Sequence, residues 1–190
     1  ESMKPNGGET LGGGGSIVEA DETYYGNIKG ARHRLGTQHK HKIVSLVSRE
    51  GETRSFHVAR INRNNVVPIL KAQVAYDTKL YTDTASHYKY MPKGTVKRHA
   101  MVNHLAGEYA RGDVHSNTVE SYFGLLKRGL FGTYHHVSEA HLQRYITEFD
   151  FRFTNRVSQG VNDAQRTSAA LKQISGKRLT YRRINGQVAQ

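Results

Sequence analysis

Two hydrophobic periods divide this chain. In the first third, apolar and polar positions tend to alternate, and in the last third they recur at helical spacing, so a sheet-forming half precedes a helix-forming one. Residues 17–25 (Ile-Val-Glu-Ala-Asp-Glu-Thr-Tyr-Tyr) read as a strand. Residues 43–47 and 53–61 flank the turn-like Arg49-Glu-Gly-Glu52 and predict an antiparallel hairpin. Val66, Val67, Ile69, Leu70 and Val74 predict a helix over 62–75, with Pro68 required to sit in its first turn. A short strand over 79–82 ends at Asp83, residues 85–90 form a brief helix stopped by Pro92, and 95–102 is a further strand. Helices are expected over 117–130, over 138–154 with the stripe Leu142, Tyr145, Ile146, Phe149 and Phe153, and over 163–174. A basic tail, Lys177-Arg-Leu-Thr-Tyr-Arg-Arg183, follows, and there is no internal repeat. This order predicts an α/β domain with a mixed central sheet. Its first three strands run as an antiparallel meander, the fourth lies beside the first, and helices flank the sheet.

Residues 1–16 are glycine-rich and read as a flexible lead-in, ahead of one domain over 17–183 and a tail over 184–190. The run Gly12-Gly-Gly-Gly15 precedes a strand and lacks the Gly-Lys-Ser/Thr ending, which argues against a P-loop. At 190 residues, 36% hydrophobic and 23% charged, the chain is long enough for one well-buried core. No apolar run approaches the roughly 20 residues of a membrane helix. Without cysteine there is no disulfide and no Cys-ligated zinc finger. The formal charge of +12, from 28 Lys+Arg against 16 Asp+Glu, points to a polyanionic partner, because each neutralised phosphate releases counterions. The stretch 27–41 concentrates this charge, with Lys29, Arg32, Arg34 and Lys40, and Lys42 just beyond it.

Against that basic background three acids stand out. Asp21 and Asp83 lie at or near strand ends, and neighbouring strands would bring their side chains together. Glu120, on a helix from 117 that would cross that edge of the sheet, would close the group. Oxygen donors of this kind select hard cations such as Mg²⁺ or Mn²⁺, and a pair of such ions about 3.5–4 Å apart serves phosphoryl displacement. Lys127 lies two helical turns beyond Glu120, positioned to meet a phosphate backbone, and Asn117, one turn before Glu120, can offer an amide oxygen. Each residue also has a plainer role. Glu19 shares Asp21's face of the strand and rivals it, while Glu22 points to the other face. Asp83 can cap the helix from 85, and Glu120 can form a capping box with Asn117. The eleven histidines, including His39-Lys-His41 and His135-His136, give only a weak zinc signature, since no i,i+4 pair stands beside an acid.

Several segments together resemble a known family. Val18-Glu-Ala-Asp-Glu-Thr-Tyr-Tyr-Gly26, Tyr81-Thr-Asp83, Val102-Asn-His104, His115-Ser-Asn-Thr-Val-Glu120, Leu126-Lys-Arg-Gly129, Gly132-Thr-Tyr-His-His-Val-Ser138, Leu142-Gln-Arg-Tyr-Ile-Thr-Glu-Phe149 and Gly176-Lys-Arg-Leu-Thr-Tyr181 occur in this order. They resemble the ISXO-type transposases of bacterial insertion sequences, relatives of the eukaryotic Merlin elements. The resemblance implies an RNase H-like DDE catalytic domain using two divalent ions, Mg²⁺ or Mn²⁺. Asp21 would bridge the ions and Asp83 and Glu120 would hold one each, with Asn117 and Lys127 as the accompanying Asn and Lys. It implies hydrolysis at the element's ends and transfer of the freed 3′-hydroxyl into target DNA. A homo-oligomer would act on that DNA, in a bacterial cytoplasm at the nucleoid or in a eukaryotic nucleus. Lys29, Arg32, Arg34, Lys40, Lys42, Lys127 and Arg128 would then grip phosphates. Two rivals remain: a nuclease or resolvase of the same fold without strand transfer, and a non-enzymatic, domesticated nucleic-acid binder. Such transposases carry an N-terminal zinc-binding or helix-turn-helix module that reads the element's ends, and the cysteine-free chain is expected to lack it.

Overall fold

The computed structural model describes residues 10–31, 36–103, 106–107 and 110–174. Its organising element is β1 (Ile17–Tyr25), which pairs on both flanks. On one side it runs antiparallel to β2 (His41–Ser48), which in turn pairs antiparallel with β3 (Thr53–Val58) through the Arg49–Glu52 turn. On the other side it runs parallel to β4 (Lys79–Asp83), and β4 runs parallel to β5 (Arg98–Val102). The sheet order is therefore β3-β2-β1-β4-β5, the meander with the fourth strand beside the first that the hydrophobic pattern predicts.

Strand alternation supplies two apolar faces, and each is covered by helices. Val18, Ala20, Val44, Leu46 and Leu80 face α1 (Arg63–Gln73) and α2 (Ser86–Lys89), where Val66, Leu70 and Tyr88 complete one core. Tyr25, Ile43 and Val47 face α3 (Asn117–Gly132) and α4 (Glu139–Thr154), with Val119, Tyr122, Leu126, Leu142, Ile146 and Phe149 completing the other. With both faces covered, β2 is buried along its whole length. A Cβ at Gly129 would run into the Phe149 ring, so glycine at this point is what lets α3 and α4 approach closely. A 3₁₀ turn (Val157–Gln159) leads to α5 (Asp163–Ile174), none of whose residues is buried.

Four features depart from the sequence reading. Pro68 is the sixth residue of α1, not in its first turn. Its ring and missing N–H cost the helix about 3 kcal/mol, and the helix persists because Asn62 caps the Asn65 N–H at 3.0 Å while Val66, Val67 and Leu70 are buried. Residues 10–16 are held rather than loose. Leu11 is 1% exposed and is clamped to α1's end, with its N–H donating to the Gln73 carbonyl at 2.6 Å and its carbonyl accepting from Ala75 at 2.9 Å. Gly12, at φ +79°, passes so close to Thr78 that no side chain fits. A short hairpin, β6 (Ala110–Arg111) and β7 (Val114–His115), precedes α3 where no strand was expected. Finally, α3 packs over β1 and β2, on the face of the sheet and not across its edge.

Candidate active site

Parallel pairing of β1 with β4 matches Ile17 to Lys79 and Glu19 to Tyr81, and two further residues along this register Asp21 stands beside Asp83. Asp83 ends β4, whereas Asp21, expected at or near a strand end, is the middle residue of β1, two residues past the last β1–β4 pair, and both lie on one face of the sheet. One ligand oxygen each from Asp21, Asp83 and Glu22 lies within 4.8 Å of the others. Asp21 is pushed up to about 7, first by burial, then by the charge of Glu22, with Asp83 and Glu120 adding to it against one backbone hydrogen bond that lowers it. Glu120 is thus close enough to act on Asp21 electrostatically. Tyr88, wholly buried in α2, is held protonated well above the ordinary phenol range by its burial and then by Glu22, Asp21 and Asp83.

Local hydrogen bonds fix each acid's orientation. Asp21 Oδ1 accepts from the Glu22 N–H at 2.7 Å, and Asp83 Oδ1 accepts from the Ala85 N–H at 2.9 Å. Asp83 thus closes a local turn onto Ala85 and does not cap α2, whose N-cap is Ala85 without a side-chain cap bond, so the capping role expected of it is not taken up by the side chain that faces Asp21. Glu120 accepts from Ser116 Oγ at 2.7 Å, and the α3 N-cap is Ser116, so Glu120 does not form the capping box with Asn117. Glu22, expected on the opposite face, does lean towards α2, where its Oε2 lies 3.2 Å from His87 Nε2, yet its carboxylate still reaches the cluster at the strand end.

The rivalry between Glu19 and Asp21 resolves through partners. Glu19 has no exposed surface. Its Oε2 accepts from the backbone N–H groups of Thr118 (2.8 Å) and Val119 (3.0 Å), and its Oε1 from Thr118 Oγ1 (2.9 Å) and Arg49 Nε (2.8 Å). Two orphan donors of the α3 N-terminus are satisfied from a strand 99 residues earlier. Arg49 extends the brace to the Asp113 carboxylate (2.7 Å) and to His115 Nδ1 (3.0 Å). Glu19 therefore docks the helix that carries Glu120 onto the strand that carries Asp21. Sequence reasoning weighed Glu19 only as a ligand, because the donors that claim it lie far along the chain.

Asn117, Glu120, Lys127 and Arg128 are exposed on α3, and Lys29 is exposed and Lys40 half-buried in the β1–β2 connection. Lys42 is buried, with its ammonium donating to the Gln38 carbonyl at 2.8 Å, so it serves the loop internally. Arg32, Arg34, His104 and the basic tail from 177 lie outside the described residues. Among the described residues no helix is long and apolar enough to cross a membrane.

Residues 10–154 match the family described as the ISXO2-like transposase domain. No curated protein and no solved structure gives a significant match. The matched span exceeds half of the 190 residues, and the chain belongs to this family of DDE insertion-sequence transposases, with a mixed five-stranded sheet consistent with the RNase H-like fold.

Proposed function

We propose that this DDE transposase domain cuts a phosphodiester at the end of its insertion element and joins the freed 3′-hydroxyl to target DNA, with Asp21, Asp83 and Glu120 as its acids. The observation that carries this reading is the acid cluster where β4 ends beside the middle of β1, with Asp21 pushed up to about 7. Burial and like-charged neighbours, with one backbone donor in opposition, make this a place where a nearby cation would favour the ionised carboxylate.

The donors fit a divalent ion of the hard class. All are carboxylate oxygens, which favour Mg²⁺ or Mn²⁺ over softer metals. Asp21, Asp83 and Glu120 would be the residues that hold the ions. Such ions supply Lewis acidity for activating the attacking oxygen and stabilising the leaving one.

The chain's own groups do the rest. Glu19 and Arg49 hold the start of α3 against β1, so the Glu120 carboxylate keeps its place when DNA enters. Asn117, one turn before Glu120, offers an amide to the substrate or to an ion. Lys127 and Arg128 lie about 10 Å further along α3 and, with Lys29 and Lys40, would bind phosphates flanking the scissile bond. A homo-oligomer would bring two ends and the target together. The test is a strand-transfer assay with DNA carrying the element's terminal repeats. Joined products should require Mg²⁺ or Mn²⁺ and vanish in Glu120→Gln. Cleavage without joining would reduce the activity to that of a nuclease, and binding indifferent to metal would leave only a DNA-binding protein.

A further inference from the structure

A second cluster of metal-ligating side chains stands apart from the acids. His41 opens β2 and is 4% exposed. The β2–β3 register pairs Ile43 with His57, so His41, two residues earlier on the same face, is the diagonal neighbour of His57. The two rings meet edge-on, with centroids 5.3 Å apart and planes at 65°, which is not a stack. Glu139 is the first residue of α4, and its position is fixed one turn later, where the Gln143 amide accepts from the His57 N–H at 2.7 Å and donates to the Ser55 carbonyl at 2.9 Å. One ligand atom from each of His41, His57 and Glu139 lies within 4.8 Å of the others.

A further observation points to a ligand. His41 Nδ1 is buried and has no hydrogen-bond partner among the described residues, a costly state unless something fills it.

We propose that His41, His57 and Glu139 bind a borderline divalent transition ion of the Zn²⁺ class, with one coordination position left to water. Two imidazoles and a carboxylate are a recurrent set for this class, whereas the all-oxygen cluster at Asp21 suits Mg²⁺. Bonds of about 2.0–2.2 Å require the three donor atoms, which lie within 4.8 Å of one another, to close inward onto the ion. The ion would join the edge strand β3, the first turn of α4 and the point where the basic β1–β2 connection re-enters the sheet. His41 pairs with Tyr25, four residues past Asp21, so this position is about 13 Å further along β1. The ion's role is to brace that connection.

The test uses the whole chain, stripped with chelator and titrated with Co²⁺ and Zn²⁺. Co²⁺ should give the visible absorption of a tetrahedral site at one equivalent, Zn²⁺ should displace it, and Zn²⁺ should raise Tm. His57→Asn and Glu139→Gln change side chains that are not fully buried, and circular dichroism checks that they fold. Each should weaken Co²⁺ and Zn²⁺ binding at least tenfold, while Asp21→Asn should leave the Co²⁺ spectrum unchanged. Absence of the tetrahedral spectrum in the wild type, an unchanged titration in both His57→Asn and Glu139→Gln, or loss of the spectrum in Asp21→Asn would each overturn the proposal.

Discussion

Asp21 in the middle of β1 and Asp150 in α4 are both pushed up to about 7, by opposite kinds of surroundings. Asp150 is 4% exposed and surrounded by donors: Tyr122 Oη at 2.6 Å, Ser55 Oγ at 2.7 Å and the Ser55 N–H at 2.8 Å. Burial alone raises it, and each hydrogen bond works against the rise. Asp21 accepts one backbone hydrogen bond, and beyond burial it is raised by Glu22, Asp83 and Glu120. A raised carboxyl is therefore no sign of function in itself. Donors around it mark a structural knot, here one that pins α4 to β3, and acids around it mark a place for a cation.

The comparison breaks first on activity. Asp21→Asn and Glu120→Gln should lower cleavage and strand transfer by on the order of a thousandfold or more, with circular dichroism unchanged. Asp150→Asn should keep the chemistry of whatever fraction remains folded. Near-wild-type turnover in Glu120→Gln would return Glu120 to a purely local role beside Ser116.

Stability should show the reverse. Asp150→Ala leaves the Tyr122 hydroxyl and the Ser55 donors buried without their acceptor, and denaturant titration should show a loss of about 2–4 kcal/mol. Asp21→Asn in chelator should melt at the same temperature as the wild type or higher, since like charges are relieved. Equal losses in both variants would erase the distinction.

Glu19→Gln tests the brace between the two regions. An amide cannot replace both anionic oxygens towards Arg49 and the α3 N-terminus, so a stability loss of about 1–3 kcal/mol is expected. Strand transfer should fall by roughly tenfold as Glu120 loses its fixed position. Unaltered activity would show that α3 docks without it.

The smallest effect is a slope. The folded-state value of Asp21 lies above its ordinary 3.8, so its protonated form favours the fold. That contribution is complete below the unfolded value and is lost as pH rises through about 7. Asp150 contributes with the same sign. Metal-free protein should therefore lose Tm between roughly pH 4 and pH 7. Mg²⁺ should cancel the Asp21 share, which Asp21→Asn also removes, and leave the Asp150 share in place. A Tm that rises over this interval without metal would contradict both assignments.

Much of this contrast was legible in the chain. Alternation from 17 to 61 and the strand at 79–82 predict the order β3-β2-β1-β4, and Asp83 at the end of β4 then meets Asp21 on its parallel neighbour β1. What stayed hidden depends on partners distant in sequence. Glu19 and Asp21 share a strand face, and only the α3 N-terminus 99 residues on distinguishes them. Leu11 sits among glycines that read as a lead-in, yet α1's end supplies its backbone partners. His57 carries no motif, and it meets His41 only through hairpin register and Glu139 only through α4. Pro68 misled because burial of α1's apolar face outweighs a local helix penalty.

The most direct measurement is a crystal structure soaked in Mn²⁺, with anomalous scattering used to find the ions. Mn²⁺ is expected between Asp21 and Asp83, within reach of Glu120, and none at Asp150. Density only elsewhere, or a soaked crystal in which the three carboxylates stand apart without an ion, would contradict it.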